Sequence, residues 1–376
     1  MRRYRRWFLA IAMGVLGVLG AVNYVVDPFW IHRGPWSSYW RPIALQLSSR
    51  VAKGEVAARD PVDVAIVGDS RTLRGVDPTH PALARVGRTY NFGMPAATVG
   101  ETADLMAVLL QDNPHRPTLI LWVLQPEFLV VDRRPQHHWD YAFSRLNREQ
   151  TAAVRWFHSV WSREATLRSL DLVKGRWTTQ EAAFLGSPDR TDGDRIVNRK
   201  TFERECQVLR TLYLQETTPP VGVEMEQPVG RMFDACARRG VRLEVVIAPS
   251  HAIYWKCLDE IGWTDRVELG KRTLVKLAHA AESSPRGSEA HASKVRIWDF
   301  SGFAGRAAER IPVDDGPIHW HADPVHFTRS LGDAVVSRVM GEETTDGELG
   351  RELSTDNVEA HLAEWRSRLA RYRSGE

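Results

Sequence analysis

Twenty residues at the N-terminus, 7 to 26, carry no charge, and Arg2, Arg3, Arg5 and Arg6 stand directly before them. A run of ~20 apolar residues matches a bilayer core, whereas the apolar part of a secretory signal is usually ~7–15 long. The arginine flank places the N-terminus in the cytoplasm by the positive-inside rule. The pattern predicts an uncleaved signal anchor, with a cleaved signal peptide as the alternative; a buried soluble helix fits the arginine flank badly. Beyond "DPFWIHRGPWSS", an irregular exit segment, the pattern changes to short apolar runs. They are "VDVAIVG" (62–68), "RTYNFG" (88–93), "TLILWVL" (118–124), "VRLEVVIAPS" (241–250) and "KVRIWDF" (294–300). Runs of this length rich in β-branched residues suit strands buried on both faces of a parallel sheet. Stretches such as "AATVGETADLMAVLLQD" between them have helical spacing, so an α/β fold is expected.

The rhythm breaks between Leu124 and Val241, where no strand is expected. Residues about 133–200 read as a helical insertion or cap over the sheet, and 203–239 as helices leading back into it. Trp139, Trp156, Trp161 and Trp177 lie in the insertion, where packing is the expected use and stacking on sugar rings the alternative. In the tail, Val358, Leu362, Trp365 and Leu369 share one helical face. Docking on the domain is its plain reading, and contact with an anionic membrane surface the sharper one. The expected organisation is a basic tail (1–6), an anchor (7–26), an exit segment (27–59), a domain (60–340) and a helical tail (341–376).

Composition narrows this picture modestly. The 376 residues are 43% hydrophobic and 26% charged, as in an ordinary globular protein. Fifty basic against 47 acidic residues give a net charge of +3, which offers no argument for a nucleic-acid partner. Cys206, Cys236 and Cys257 are too few for a disulfide framework; one disulfide with a free thiol, or three buried thiols, both fit. No CxxC spacing suggests a thiolate zinc site.

The candidate chemistry starts at "VAIVGDSRTLRGVDP" (64–78), where a buried strand runs into Gly68-Asp69-Ser70 and a helix. Ser70 is either a nucleophile or a helix cap. A nucleophilic serine needs a histidine to take its proton and a carboxylate to orient that histidine. "HADPVHFTRSLGDAVV" supplies Asp323 and His326, and three residues in a tight turn let the carboxylate reach Nδ1. Ser70 at a helix N-terminus offers its own N–H to a developing oxyanion. Gly93, in "YNFGMP" after the second strand, offers a second.

"GDSR", "NFG" and "DPVH", in this order, resemble the first, second and fifth blocks of the SGNH (GDSL-like) hydrolases over roughly residues 60–340. The resemblance implies a flavodoxin-like three-layer α/β/α sandwich with a parallel sheet, and hydrolysis or transfer of an acyl ester. This chain departs from the family in lacking the Gly-x-Asn-Asp block after the third strand. "LWVLQPEFL" stands there, with Gln125 as the substitute oxyanion donor, Glu127 nearby, and a plain strand end as the alternative. The layout also resembles membrane-anchored relatives that assist alginate O-acetylation and teichoic-acid D-alanylation. That resemblance implies a single-pass protein of the bacterial inner membrane with its domain facing the periplasm or cell exterior. It also implies an envelope or secreted polysaccharide and a multi-pass membrane-bound O-acyltransferase as partners, and no cofactor. A catalytically inactive scaffold of the same fold is the alternative function, and a soluble cytoplasmic esterase a third.

Other polar residues carry two readings each. Arg71 binds an anionic polymer group or is an exposed first-turn arginine. Ser250 and His251, after the fourth strand, contact substrate or form a satisfied loop pair. His319, His321 and His326 crowd together, but no HExxH-type spacing supports a metal, and none is expected. His137 and His138 read as surface residues of the insertion. Asp69 is expected to fix its turn by hydrogen bonds to backbone.

Overall fold

The computed structural model describes residues 1–34, 48–125, 139–174, 195–215, 226–283, 294–342 and 349–375. Glu127, His137, His138 and Trp177 lie outside the described residues. The chain forms two compact units, one of Met1–Asp60 with His137–Leu185 and one of Pro61–Gln136 with Gly186–Glu376.

The second unit is α/β. Its strands in chain order are β1 (Val64–Gly68), β2 (Thr89–Asn91), β3 (Leu119–Leu124), β4 (Arg195–Val197), β5 (Arg242–Ile247), β6 (Val295–Asp299), β7 (Gly316–Ile318) and β8 (Arg351–Leu353). Six form one sheet in the order β2-β1-β3-β5-β6-β8, parallel except for β8, which runs antiparallel to β6. All five expected runs are strands of this sheet. β4 and β7 pair separately and antiparallel. They and β8, three residues each, are too short to leave a periodic pattern, so the expectation of no strand between Leu124 and Val241 missed β4.

Alternation along each strand serves two faces. Val64, Ile66, Leu119, Leu121, Val123 and Val246 join one core with Leu331, Val335, Val336 and Val339 of the helix Arg329–Val339. From the other face Trp122 meets Phe233, on the helix Glu226–Arg238, edge-on at 6.3 Å. Burial on both sides is why these strands read as continuous apolar runs. Glu244 is an exception, fully buried in β5; it accepts from Arg296 at 2.6 Å and from Trp298 Nε1 at 2.7 Å. The tail helix Val358–Ser374 docks as its plain reading expected, with Trp365 against Phe303 and Trp255 at 5.0 and 6.1 Å. The three cysteines are free thiols.

The first unit is helical. The apolar helix spans Arg2–Val26 and is long and apolar enough to cross a membrane. Asp27 ends it in the left-handed region, its carboxylate accepting from the amides of Ile31 (2.8 Å) and Arg33 (2.7 Å). The expected exit segment also contains a helix, Ser49–Arg59, whose Glu55 takes Arg145 at 2.7 Å. The helices Ala152–Trp161 and Arg163–Val173 of the expected insertion pack on the apolar helix: Asn23 Nδ2 donates to the Val160 carbonyl (2.8 Å) and Thr166 Oγ1 (3.0 Å). The insertion therefore belongs with the N-terminal segment. A periodicity argument could not see this, because the contacts that join the two, such as the Asn23 bonds and the packing of Trp161 on Gly20, lie some 137 to 143 residues apart in sequence.

Candidate active site

Ser70 stands where β1 turns into the helix Ser70–Gly75. The turn requires Gly68, whose φ of +147° is strained for any side chain and whose Cβ would overlap Thr72 Oγ1 and the Val123 carbonyl. Asp69 caps the helix as expected, Oδ1 accepting from the Arg71 amide at 2.8 Å. Ser70 is the first helical residue, so its N–H has no intrahelical acceptor and sits at the positive end of the helix.

The loop before the helix Arg329–Val339 brings the partner. Asp323 Oδ1 accepts from the amides of Val325 (2.9 Å) and His326 (2.8 Å), folding the Asp-Pro-Val-His turn onto itself. Its Oδ2 lies 2.7 Å from His326 Nδ1, and His326 Nε2 lies 2.8 Å from Ser70 Oγ. With the Nδ1–H donated to Asp323, Nε2 is left to accept the serine hydroxyl proton. Burial pushes the Asp323 carboxyl up, but the hydrogen bonds and charge of His326, with the two amides, outweigh it and hold the group below its ordinary value. Asp323 is thus a carboxylate, and the arrangement can draw a proton from Ser70 and steady the resulting imidazolium. The site stands at the carboxyl ends of the parallel strands beside the β1/β3 boundary, where strand order reverses and open sheets bind ligands.

Two close approaches hold serine and histidine together across 256 residues. Gly332 lies so near Gly75 that a Cβ there would overlap the Gly75 carbonyl oxygen, and the Phe327 ring fills the space over Gly75. The strand β2 adds a third clamp. Asn91 Nδ2 donates to the carbonyls of Thr72 and Val76, both 2.9 Å, and its Oδ1 accepts from the Gly93 amide at 2.8 Å. Asn91 was legible only as part of "NFG"; its clasp on the serine helix is a tertiary contact.

The other expected site residues are placed differently. The Gly93 N–H, expected to face an oxyanion, is engaged by Asn91; glycine is needed there because a Cβ would crowd the Leu73 amide. Gln125 is buried, and its Nε2 donates one of its two hydrogens to Ser250 Oγ at 2.7 Å, while Oε1 has no hydrogen-bond partner among the described residues. Arg71 is buried and ion-paired to Asp69, neither exposed nor open to a polymer anion. Ser250 and His251 are fully buried and support the loop that carries Asp323 and His326, the His251 amide donating to the Pro324 carbonyl at 3.0 Å. These corrections share one cause: a buried polar group bonds whichever partner the fold places beside it, here the Asn91, Ser250 and Asp69 side chains and the Glu309 and Pro324 carbonyls. The three crowded histidines separate in role. His319 packs on Trp320, His321 bonds the Pro249 carbonyl at 3.0 Å, and His326 faces Ser70. Sequence reasoning did not single out Glu205, on the helix Arg199–Gln215, whose carboxyl is pushed up by burial and then by the Asp323 charge.

His251 gives a pH prediction. Burial, then the neighbouring His321, pushes its ring down to about 3, against the pull of the Glu309 carbonyl it bonds. The folded protein keeps the ring neutral, while the unfolded chain takes a proton below its ordinary value of 6.5. Stability attributable to this residue is therefore complete above pH 6.5 and declines as pH falls toward 3. The loss is on the order of 5 kcal/mol at ~1.4 kcal/mol per pH unit. Urea midpoints measured across this window should fall with acidification in the wild type and fall less steeply in His251→Gln. Equal slopes in the two proteins would remove His251 from the explanation.

No protein-family model matches this chain, and no curated protein is significantly similar to it.

Proposed function

We propose that this protein is a membrane-anchored serine acyltransferase or esterase of the SGNH type, working through an acyl-Ser70 intermediate. The observation that carries the reading is the unbroken chain Asp323–His326–Ser70, closed at 2.7 and 2.8 Å at the mouth of a parallel sheet. Strand order supports it as well: the parallel strands alone run in the flavodoxin-like order 2-1-3-4-5. In the first half-reaction Ser70 Oγ bonds the acyl carbon, and its proton passes through His326 to the departing oxygen of the donor ester. In the second an acceptor hydroxyl, or water, attacks the acyl-serine, gives its proton to His326 and frees Ser70. The N-terminal helix and the resemblance to envelope-modifying proteins favour a polysaccharide hydroxyl as acceptor and an acetyl group as cargo. They also favour a location on the outer face of a bacterial inner membrane, beside a multi-pass O-acyltransferase that delivers the acyl group.

The second reading, an inactive scaffold, has an observation of its own. With the Gly93 amide bonded to Asn91 and the buried Gln125 amide turned to Ser250, the Ser70 amide is the donor that faces the oxyanion. One missing donor costs ~2.7–4 kcal/mol of transition-state stabilisation. Labelling the full chain with a fluorophosphonate and mapping the modified peptide separates the readings. An adduct on Ser70, absent in folded Ser70→Ala and His326→Ala, is the expected result. A folded wild type that takes no adduct favours the scaffold.

A further inference from the structure

The helices Ala152–Trp161 and Arg163–Val173 present an apolar face that none of the described residues covers. Trp156, Phe157 and Trp161 are 45, 55 and 40% exposed, and Leu167, Leu170 and Val173 are 47, 42 and 61% exposed. The packing expected of Trp156 and Trp161 is thus only partial. Soluble surfaces scatter such residues singly; a patch of aromatics and leucines on adjoining helices marks an interaction surface.

Its neighbour identifies the occupant. The two helices grip the last third of the apolar helix Arg2–Val26, through the Asn23 hydrogen bonds and through Gly20, where Trp161 and Val160 approach so closely that a Cβ would strike the indole. Small residues and satisfied amides are what bring helices together inside lipid. If residues 7–26 span the bilayer, their 20 residues at ~1.5 Å each cover the ~30 Å core, and Gly20 lies ~9 Å from the boundary where the helix ends. The two gripping helices are then held at that boundary by geometry alone. Arg163 and Lys174, exposed at the two ends of the second helix, can reach lipid phosphates there.

We propose that the face carrying Trp156, Phe157, Trp161, Leu167 and Leu170 is embedded in the headgroup and upper acyl layer of the leaflet in which the N-terminal helix ends. The protein would thus stand on a spanning helix and a half-sunk helical footing, ~5–10 Å deep, as interfacial helices are. Tryptophan and phenylalanine beside flanking cations suit that layer, which is apolar on one side and wet on the other. This inference rests on residues 7–26 spanning the membrane.

The test uses the full chain, with its three cysteines changed to alanine and folding checked by circular dichroism, in phosphatidylcholine–phosphatidylglycerol vesicles. Nitroxides are placed singly through Val15→Cys, Phe157→Cys, Leu170→Cys and Glu149→Cys, and their accessibility to oxygen and to a water-soluble nickel complex is compared. The expected result is preference for oxygen at 15, 157 and 170, and for nickel at 149. Preference for nickel at 157 and 170, with oxygen retained at 15, would overturn the footing and leave the span intact. Preference for nickel at 15 would overturn the span itself, and the footing with it. Should the cysteine-free chain fold poorly, quenching by brominated lipid replaces the labels. Wild type should then lose more tryptophan fluorescence than Trp156→Phe/Trp161→Phe, and equal loss would overturn the proposal.

Discussion

Asp323→Asn lowers the rate of Ser70 labelling by fluorophosphonate about 10⁴-fold while leaving the fold intact, by the logic of an orienting carboxylate. The prediction follows from how the two carboxylate oxygens are used. Oδ1 accepts two backbone amides, at 2.9 and 2.8 Å, so an asparagine must keep its single carbonyl oxygen there. Its NH₂ then replaces Oδ2 at the 2.7 Å contact with His326 Nδ1. A donor facing Nδ1 forces that nitrogen to accept and moves the ring proton to Nε2. His326 then points a hydrogen at Ser70 Oγ and can no longer take one. The turn survives, because both amides still find an acceptor. Since the Asp323 carboxyl is held below its ordinary value, the wild-type triad keeps its orientation above the ordinary carboxylate range and loses it only as pH falls through the lowered value. Rates of labelling measured for both proteins at neutral pH, with thermal melts alongside, check this. A drop of less than about tenfold would mean that Asp323 does not set the tautomer.

Gly332→Ala is expected to slow the labelling of Ser70 out of proportion to its size. The added methyl falls on the Gly75 carbonyl oxygen, a backbone atom that no rotamer change can move aside. The helix Arg329–Val339 must then draw back from the helix Ser70–Gly75, and His326, three residues before the first of these, moves with it. Overpacking of this kind costs ~1–3 kcal/mol of stability. The cost in labelling rate is larger, because a displacement of ~1 Å between reacting groups can cost ~10²-fold in rate. Thermal melts and labelling kinetics report the two effects separately. Gly302→Ala is the control: its Cβ meets open space, so both quantities should stay at wild-type values. If Gly332→Ala labels at the wild-type rate, the helix contact does not position the dyad.

Much of the local architecture was legible before any coordinates. The five parallel strands follow from apolar runs, the apolar helix from twenty uncharged residues behind four arginines, and the tail's docking face from Val358, Leu362, Trp365 and Leu369. The two ends of the site were equally legible, because each closes within a few residues: Asp69 caps onto Arg71, and Asp323 reaches Nδ1 of His326 across a single turn. Chain spacing alone determines interactions of that range. What lies between them was decided by tertiary packing. Whether Ser70 and His326 meet depends on Gly75, Gly332 and Phe327 bringing two helices into contact, and no local pattern records such a meeting. The same packing took Gly93, Gln125, Arg71, Ser250 and His251 out of the cleft, because a buried polar group must satisfy whichever backbone or side-chain partner the fold places beside it. It also drew the arginine- and tryptophan-rich insertion to the N-terminal helix through Asn23 and Gly20. Local pattern thus marks which residue types can do chemistry, and packing selects which of them face one another, since contacts across hundreds of residues are set by shape and not by spacing.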